Sequence, residues 1–119
     1  MSDETMLKGG ELNAAITSAL VGIYTEHLGR GPRRASTFHH AHVIVTLMHD
    51  VLTPAEKSLT RTGQVDAVDY IRHLFHETME ADFRKAVERL TSRTVLALIS
   101  GNHIAPDIAA ELFILDARV

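Results

Sequence analysis

The stretch TFHHAHVIVTLMHD, residues 37–50, carries four histidines, His39, His40, His42 and His49. It reads either as a metal site or as a β-hairpin with a histidine-rich turn. Thr, Phe, Val and Ile dominate its two halves, and such residues suit a pleated, half-buried surface. The hairpin reading gives strands at 34–39 and 42–50, with His40 and Ala41 at the turn. Neither of these favours the positive φ that two-residue hairpin turns need. A zinc site needs three or four ligands in a tetrahedral array. His39, His42 and His49 are the candidates here, but no carboxylate stands in the turn and the spacing fits no zinc pattern. The hairpin is therefore the leading reading. A metal site is the alternative, and a pH-sensitive charge a third use of the same imidazoles.

Moving outward, the N-terminal side reads as an arm over residues 1–10, ending in Gly9-Gly10, and then a helix over 11–28. Leu12, Ile16, Leu20, Ile23 and Leu28 recur at helical spacing. Gly29 suits the left-handed position past a helix end, and Pro32 prevents resumption. On the other side, Thr53 is placed as an N-cap, with Pro54 at the first helical position. Glu56 completes a capping box, so a short helix spans 54–61. A long helix follows over 65–91, with Val68, Ile71, Phe75, Met79, Phe83, Ala86 and Leu90 on one face. RTVLALIS, residues 93–100, and IAAELFILD, residues 108–116, read as strands around a GNHIAPD loop.

The order is α-β-β-α-α-β-β. This is an α+β fold with an antiparallel sheet of about four strands and a single domain over residues 11–119. The strand near 94–99 is apolar on both faces, whereas a sheet covered on one side alternates apolar with polar. Either the two longer helices cover opposite faces, or one face meets a second copy. A homodimer is the expectation, since closed two-fold assemblies are the commonest oligomers.

The 119 residues suit one domain. A formal net charge of -3 gives no basic excess for a nucleic-acid partner. Without cysteine there is no disulfide, zinc ribbon or thiol nucleophile. No apolar run approaches the roughly 20 residues of a spanning helix, and the acidic N-terminus is not a secretory signal. The expected location is cytoplasmic, with any membrane association made through a partner.

Two further segments carry possible chemistry. In HLFHETME, His73, His76, Glu77 and Glu80 lie three and four apart on a helix, as a chelating pair requires. The order is not that of a metalloprotease, and a solvated helix face is the simpler reading. GRGPRR, residues 29–34, offers Gly29 and Gly31 with Arg30, Arg33 and Arg34, groups able to hold a phosphate or carboxylate. It is no Walker motif, and a helix stop with a charge run also accounts for it. Ser36, Ser58, Ser92 and Ser100 sit in no nucleophile elbow. The expectation is a protein that is not an enzyme and needs no cofactor.

Taken in order, LGRGPRRASTF, VIVTLMHDVLTPAEKSL, a long helix, RTVLALIS and ELFILD resemble the MpsC family over residues 11–117. The most specific pieces are Gly29, Arg30, Gly31 and Pro32, then Leu52, Thr53, Pro54, Glu56 and Lys57. The resemblance implies a small bacterial protein attached to a sodium-translocating, membrane-potential-generating system, whose sister components look like ion- or bicarbonate-moving membrane proteins. It carries over no catalytic residue. Many members have a Gly-Asp or Asp-Asp type pair at the hairpin turn where this chain has HHAH, so the histidines are not a family-wide metal site. The expected function is a non-catalytic accessory or regulatory domain of a membrane ion or inorganic-carbon transport system. Contacts to the transport subunits are expected through residues 29–34 and 52–57. The alternatives are a stand-alone metal binder, using His39, His42 and His49 or His73, His76 and Glu80, and a small-anion binder at residues 29–34.

Overall fold

The structure, a computed structural model, describes residues 7–119. Its elements are α1 (Gly9–Leu28), β1 (Arg34–His40), β2 (Val43–His49), α2 (Pro54–Arg61), α3 (Val65–Thr91), β3 (Val95–His103) and β4 (Ile108–Leu115). The α+β class and element order are those the sequence predicts. The four strands form one antiparallel sheet in the order β1-β2-β4-β3. Of the expected arm, residues 1–6 lie outside the described residues, and Gly9-Gly10 open α1 rather than precede it.

Boundaries follow local chemistry. Gly29 takes φ 77 and its amide donates to Thr25 O, closing α1. Gly31 lies where a Cβ would come within 2.8 Å of Thr25 Oγ1. The Thr53 hydroxyl accepts from the Glu56 amide while the Glu56 carboxylate accepts from the Thr53 amide, so the expected capping box starts α2. The hairpin turn falls at Ala41 and His42, one residue beyond its expected place, and Ala41 takes φ 54. Strand β3 runs on to His103, because residues 101–103 pair with 108–110 of β4 where a loop is expected.

Both long helices cover the same face of the sheet. Leu12, Ile16, Leu20 and Tyr24 of α1 and Met79, Phe83 and Val87 of α3 pack with Ile44, Met48, Ala109, Phe113 and Leu115 into one core. Every second residue of β2 and β4 points into it. The two-sided apolar character of the sheet therefore does not arise from helices on opposite faces. Among the described residues no helix lies over the outer face, and Phe38, Leu96 and Ile99 are 52–61 % exposed there.

Candidate functional site

Two segments that resemble family signatures meet at one junction. The loop between β2 and α2 is held from three sides through its backbone. Arg30 Nη1 donates to Leu52 O at 2.6 Å and Nη2 to Asp50 O at 3.0 Å. Asp107 Oδ2 accepts from the Leu52 amide at 2.9 Å. Arg72 Nη2, reaching from α3, donates to Val51 O at 2.7 Å. Orphaned carbonyls of an irregular loop are thereby paired, as buried backbone groups must be.

Behind the loop is a buried ion pair. Arg72 and Glu56 are 1 % and 4 % exposed. Arg72 Nε donates to Glu56 Oε2 at 2.7 Å and Nη2 to Oε1 at 2.5 Å, a bidentate fork. Arg72 Nη1 also donates to the Tyr24 hydroxyl, and its guanidinium lies 5.5 Å from that ring's centroid. Burial raises the Tyr24 hydroxyl above its usual range, although Arg72 opposes the shift. Glu56 is thus turned inward, and so is unavailable as a surface contact. Arg30 likewise serves the loop, whereas Arg33, Arg34 and Lys57 are exposed.

Next to this pair, a polar line crosses the inner face of the sheet. Thr37, Thr46, Glu111 and Ser100 are direct cross-strand neighbours on β1, β2, β4 and β3. Thr17 of α1 donates to Thr37 at 2.7 Å, and the Thr37 and Thr46 hydroxyls are 2.7 Å apart. Ser100 Oγ donates to Glu111 Oε1. Glu111 is fully buried; among the described residues its Oε2 has no hydrogen-bond partner, and His76 Nε2 lies 3.6 Å from it. Burial pushes the Glu111 carboxyl up to about 8. Burial, then Arg72 and His73, push the His76 imidazole down to about 4.

The outer face presents the opposite chemistry. One row is Phe38, Val45, Leu112 and Ile99, flanked by His40, Val43, Ile114 and Ala97 on one side. Ser36, Leu47, Ala110 and Gly101 flank it on the other, and the last row is Arg34, His49, Ile108 and His103. Three largely apolar rows, with Ser36 and His40 at their β1 edge, therefore adjoin a row that carries Arg34, His49 and His103. At that end Arg33, Arg34, His49, Asp50 and Asp107 line a cleft of about 420 Å³. Two carboxylates share it with the arginines, and Arg33 is 3.8 Å from Asp50, so this is a mixed-charge cleft rather than a purely cationic anion cradle.

The proposed metal ligands do not converge. His39 lies on the inner face, 2.7 Å from Asn13 Oδ1. His42 is in the turn, and His49 pairs with Arg34 at the far end of the hairpin. On α3, His73 is exposed with Glu77 at 4.0 Å, His76 turns to Glu111, and Glu80 accepts from Arg84 at 2.9 Å. Among the described residues no group of three metal-ligating side chains comes together. Sequence reasoning missed Arg72, Glu111, Tyr24 and Ser100. The signal was there for two of them: Arg72 stands four residues after Val68 on the apolar stripe, and Glu111 alternates with inward Ala109 and Phe113.

No helix among the described residues is long and apolar enough to cross a membrane. No curated protein and no solved structure matches the chain. A family model does, over residues 8–117: Na+-translocating membrane potential-generating system (MpsC). That span takes in the Arg30 clamp, the Glu56–Arg72 pair and the whole sheet, and so the chain belongs to the MpsC family.

Proposed function

We propose that the protein is a non-catalytic accessory or regulatory component of a membrane ion or inorganic-carbon transport system, and that it works as a homodimer on the cytoplasmic side by contacting other proteins. Membership of a family described as a Na+-translocating membrane potential-generating system supplies the setting. The observation that carries the contact role is the outer sheet face, with three largely apolar rows and, among the described residues, no helix over them. Contiguous apolar surface of this kind marks an interaction site. A second copy fits it. A two-fold axis lying between the two faces and parallel to the rows sets the Arg34, His49 and His103 row of one copy at the opposite end from that of its mate. The Arg34 side chains of the two copies are then kept apart while the largely apolar rows meet.

The exposed arginines Arg33 and Arg34 and the mixed-charge cleft beside them remain available to a membrane subunit once the apolar rows are covered. The test is affinity purification of the tagged protein from mildly solubilised membranes of its source organism, with mass spectrometry of what accompanies it. Transporter subunits in stoichiometric amount are expected, and their loss in an Arg33→Glu/Arg34→Glu variant that stays folded. Recovery of the protein as a lone homo-oligomer would overturn the accessory role. Recovery of the subunits with the doubly substituted chain would overturn the arginine surface.

A further inference from the structure

We propose that His76 and Glu111 together form a binding site for one proton, and that its occupancy governs how tightly α3 seats on the β3–β4 hairpin. The geometry is that of an incomplete pair inside a core. Glu111 is fully buried between Thr46 and Ser100, its direct cross-strand neighbours. Ser100 satisfies Oε1. Oε2 and His76 Nε2 face each other at 3.6 Å, and neither has a hydrogen-bond partner among the described residues. That separation is beyond a good hydrogen bond. A small shift of α3 would close or widen it.

No neighbouring charge can take the proton's place. On α1 the group facing Glu111 is Tyr24, a hydroxyl that burial keeps protonated. On α3, Arg72 has its guanidinium committed to Glu56 of α2, to Tyr24 and to Val51 O. His73 points to solvent beside Glu77. Strand β2 offers only the Thr46 hydroxyl, already 2.7 Å from that of Thr37, and β3 offers Ser100 and the Asn102 amide. A bare carboxylate at Glu111 would therefore be a buried charge with one hydrogen bond, which proteins avoid by protonation.

Between about pH 4 and about 8 the pair holds one titrating proton, carried by the Glu111 carboxyl opposite a neutral His76. Above that range the proton leaves and the carboxylate needs water. Water can arrive only if α3 lifts from the hairpin at His76. The side chain of His76 is 11 % exposed against 0 % for Glu111, so the imidazole is the member through which solvent and the proton enter. A domain attached to an ion-moving system would in this way sense pH in the neutral range.

The test is an NMR titration of the Glu111 carboxyl carbon and the His76 ring in the full chain from pH 5 to 9.5. Amide exchange along α3, β3 and β4 is measured at pH 6.5 and 8.5 and corrected for the intrinsic rate. We expect a Glu111 midpoint near 8 and a loss of protection of about tenfold or more on the facing side of α3. In Glu111→Gln the protection should not change with pH. Ser100→Ala, which removes the bond favouring the carboxylate, should move the midpoint and the loss of protection upward together. An ordinary carboxylate midpoint, protection that is independent of pH in the native chain, or a Ser100→Ala midpoint that does not move would each overturn the proposal. None of these readouts involves a partner, so the accessory role stands or falls separately.

Discussion

Arg72 shows how one side chain can bind three elements. Its guanidinium closes on Glu56 of α2, Tyr24 of α1 and the Val51 carbonyl before α2. Removing one partner of a buried pair leaves the other charged and unpaired, at a cost of about 3–5 kcal/mol. Arg72→Leu should therefore lower unfolding stability by that order in a urea titration. The double variant Arg72→Leu/Glu56→Leu should recover part of the loss, since it strands no charge. Glu111 makes a second prediction at this scale, with a definite sign. Its carboxyl is raised from 4.5 to about 8, so the folded state holds a proton that the unfolded state releases. Stability from this group is present below pH 4.5 and is lost as pH rises through 8. His76, lowered from 6.5 to about 4, gives the opposite trend between those values. The two nearly cancel between 4.5 and 6.5, leaving a net decline from about 6.5 to 8. Urea midpoints should fall across that window in the native chain and stay level in Glu111→Gln.

At the scale of elements, legibility followed period and punctuation. α2 and α3 have the bounds the sequence predicts, because a capping box and a long apolar stripe are local signals. The hairpin turn is displaced by one residue because Ala41, and not a glycine or asparagine, carries its positive φ. Nothing in HHAH marks that position. β3 extends into GNH because its pairing with β4 outweighs the local breaking signal of Gly101-Asn102. Ala41 gives the prediction here. An alanine in the left-handed region costs about 1–2 kcal/mol. Glycine returns part of that gain through its freer unfolded chain. Ala41→Gly should thus stabilise the domain by about 0.5–1 kcal/mol, measured by thermal unfolding. Ala41 O still accepts from the Val119 amide at 3.0 Å, a backbone bond that the substitution leaves in place.

For the whole molecule, the sequence carried the hint of a second apolar surface but not its location. Residues 94–99 look two-sided, and only the strand order decides which positions join the helix core. That order depends on contacts between β2 and β4, far apart in sequence, to which a periodicity argument is blind. The Glu56–Arg72 pair was hidden for the same reason, since Arg72 on the apolar stripe of α3 and Glu56 in its capping box show no link until α2 folds against α3. The outer face yields a last prediction. Ile99 is 61 % exposed, so Ile99→Lys should change the stability of the isolated fold by no more than about 0.5 kcal/mol. In the proposed dimer the same position lies in an apolar row with Phe38, Val45 and Leu112, and two-fold symmetry counts it twice. Burying one isoleucine is worth about 1.5–3 kcal/mol, so losing two amounts to 3 kcal/mol or more, about a hundredfold in Kd. Sedimentation equilibrium should show a concentration-dependent dimer for the native chain and a monomer for Ile99→Lys at the same loading. A native chain that stays monomeric over that range, or a variant that dimerises equally well, would assign the face to a different protein.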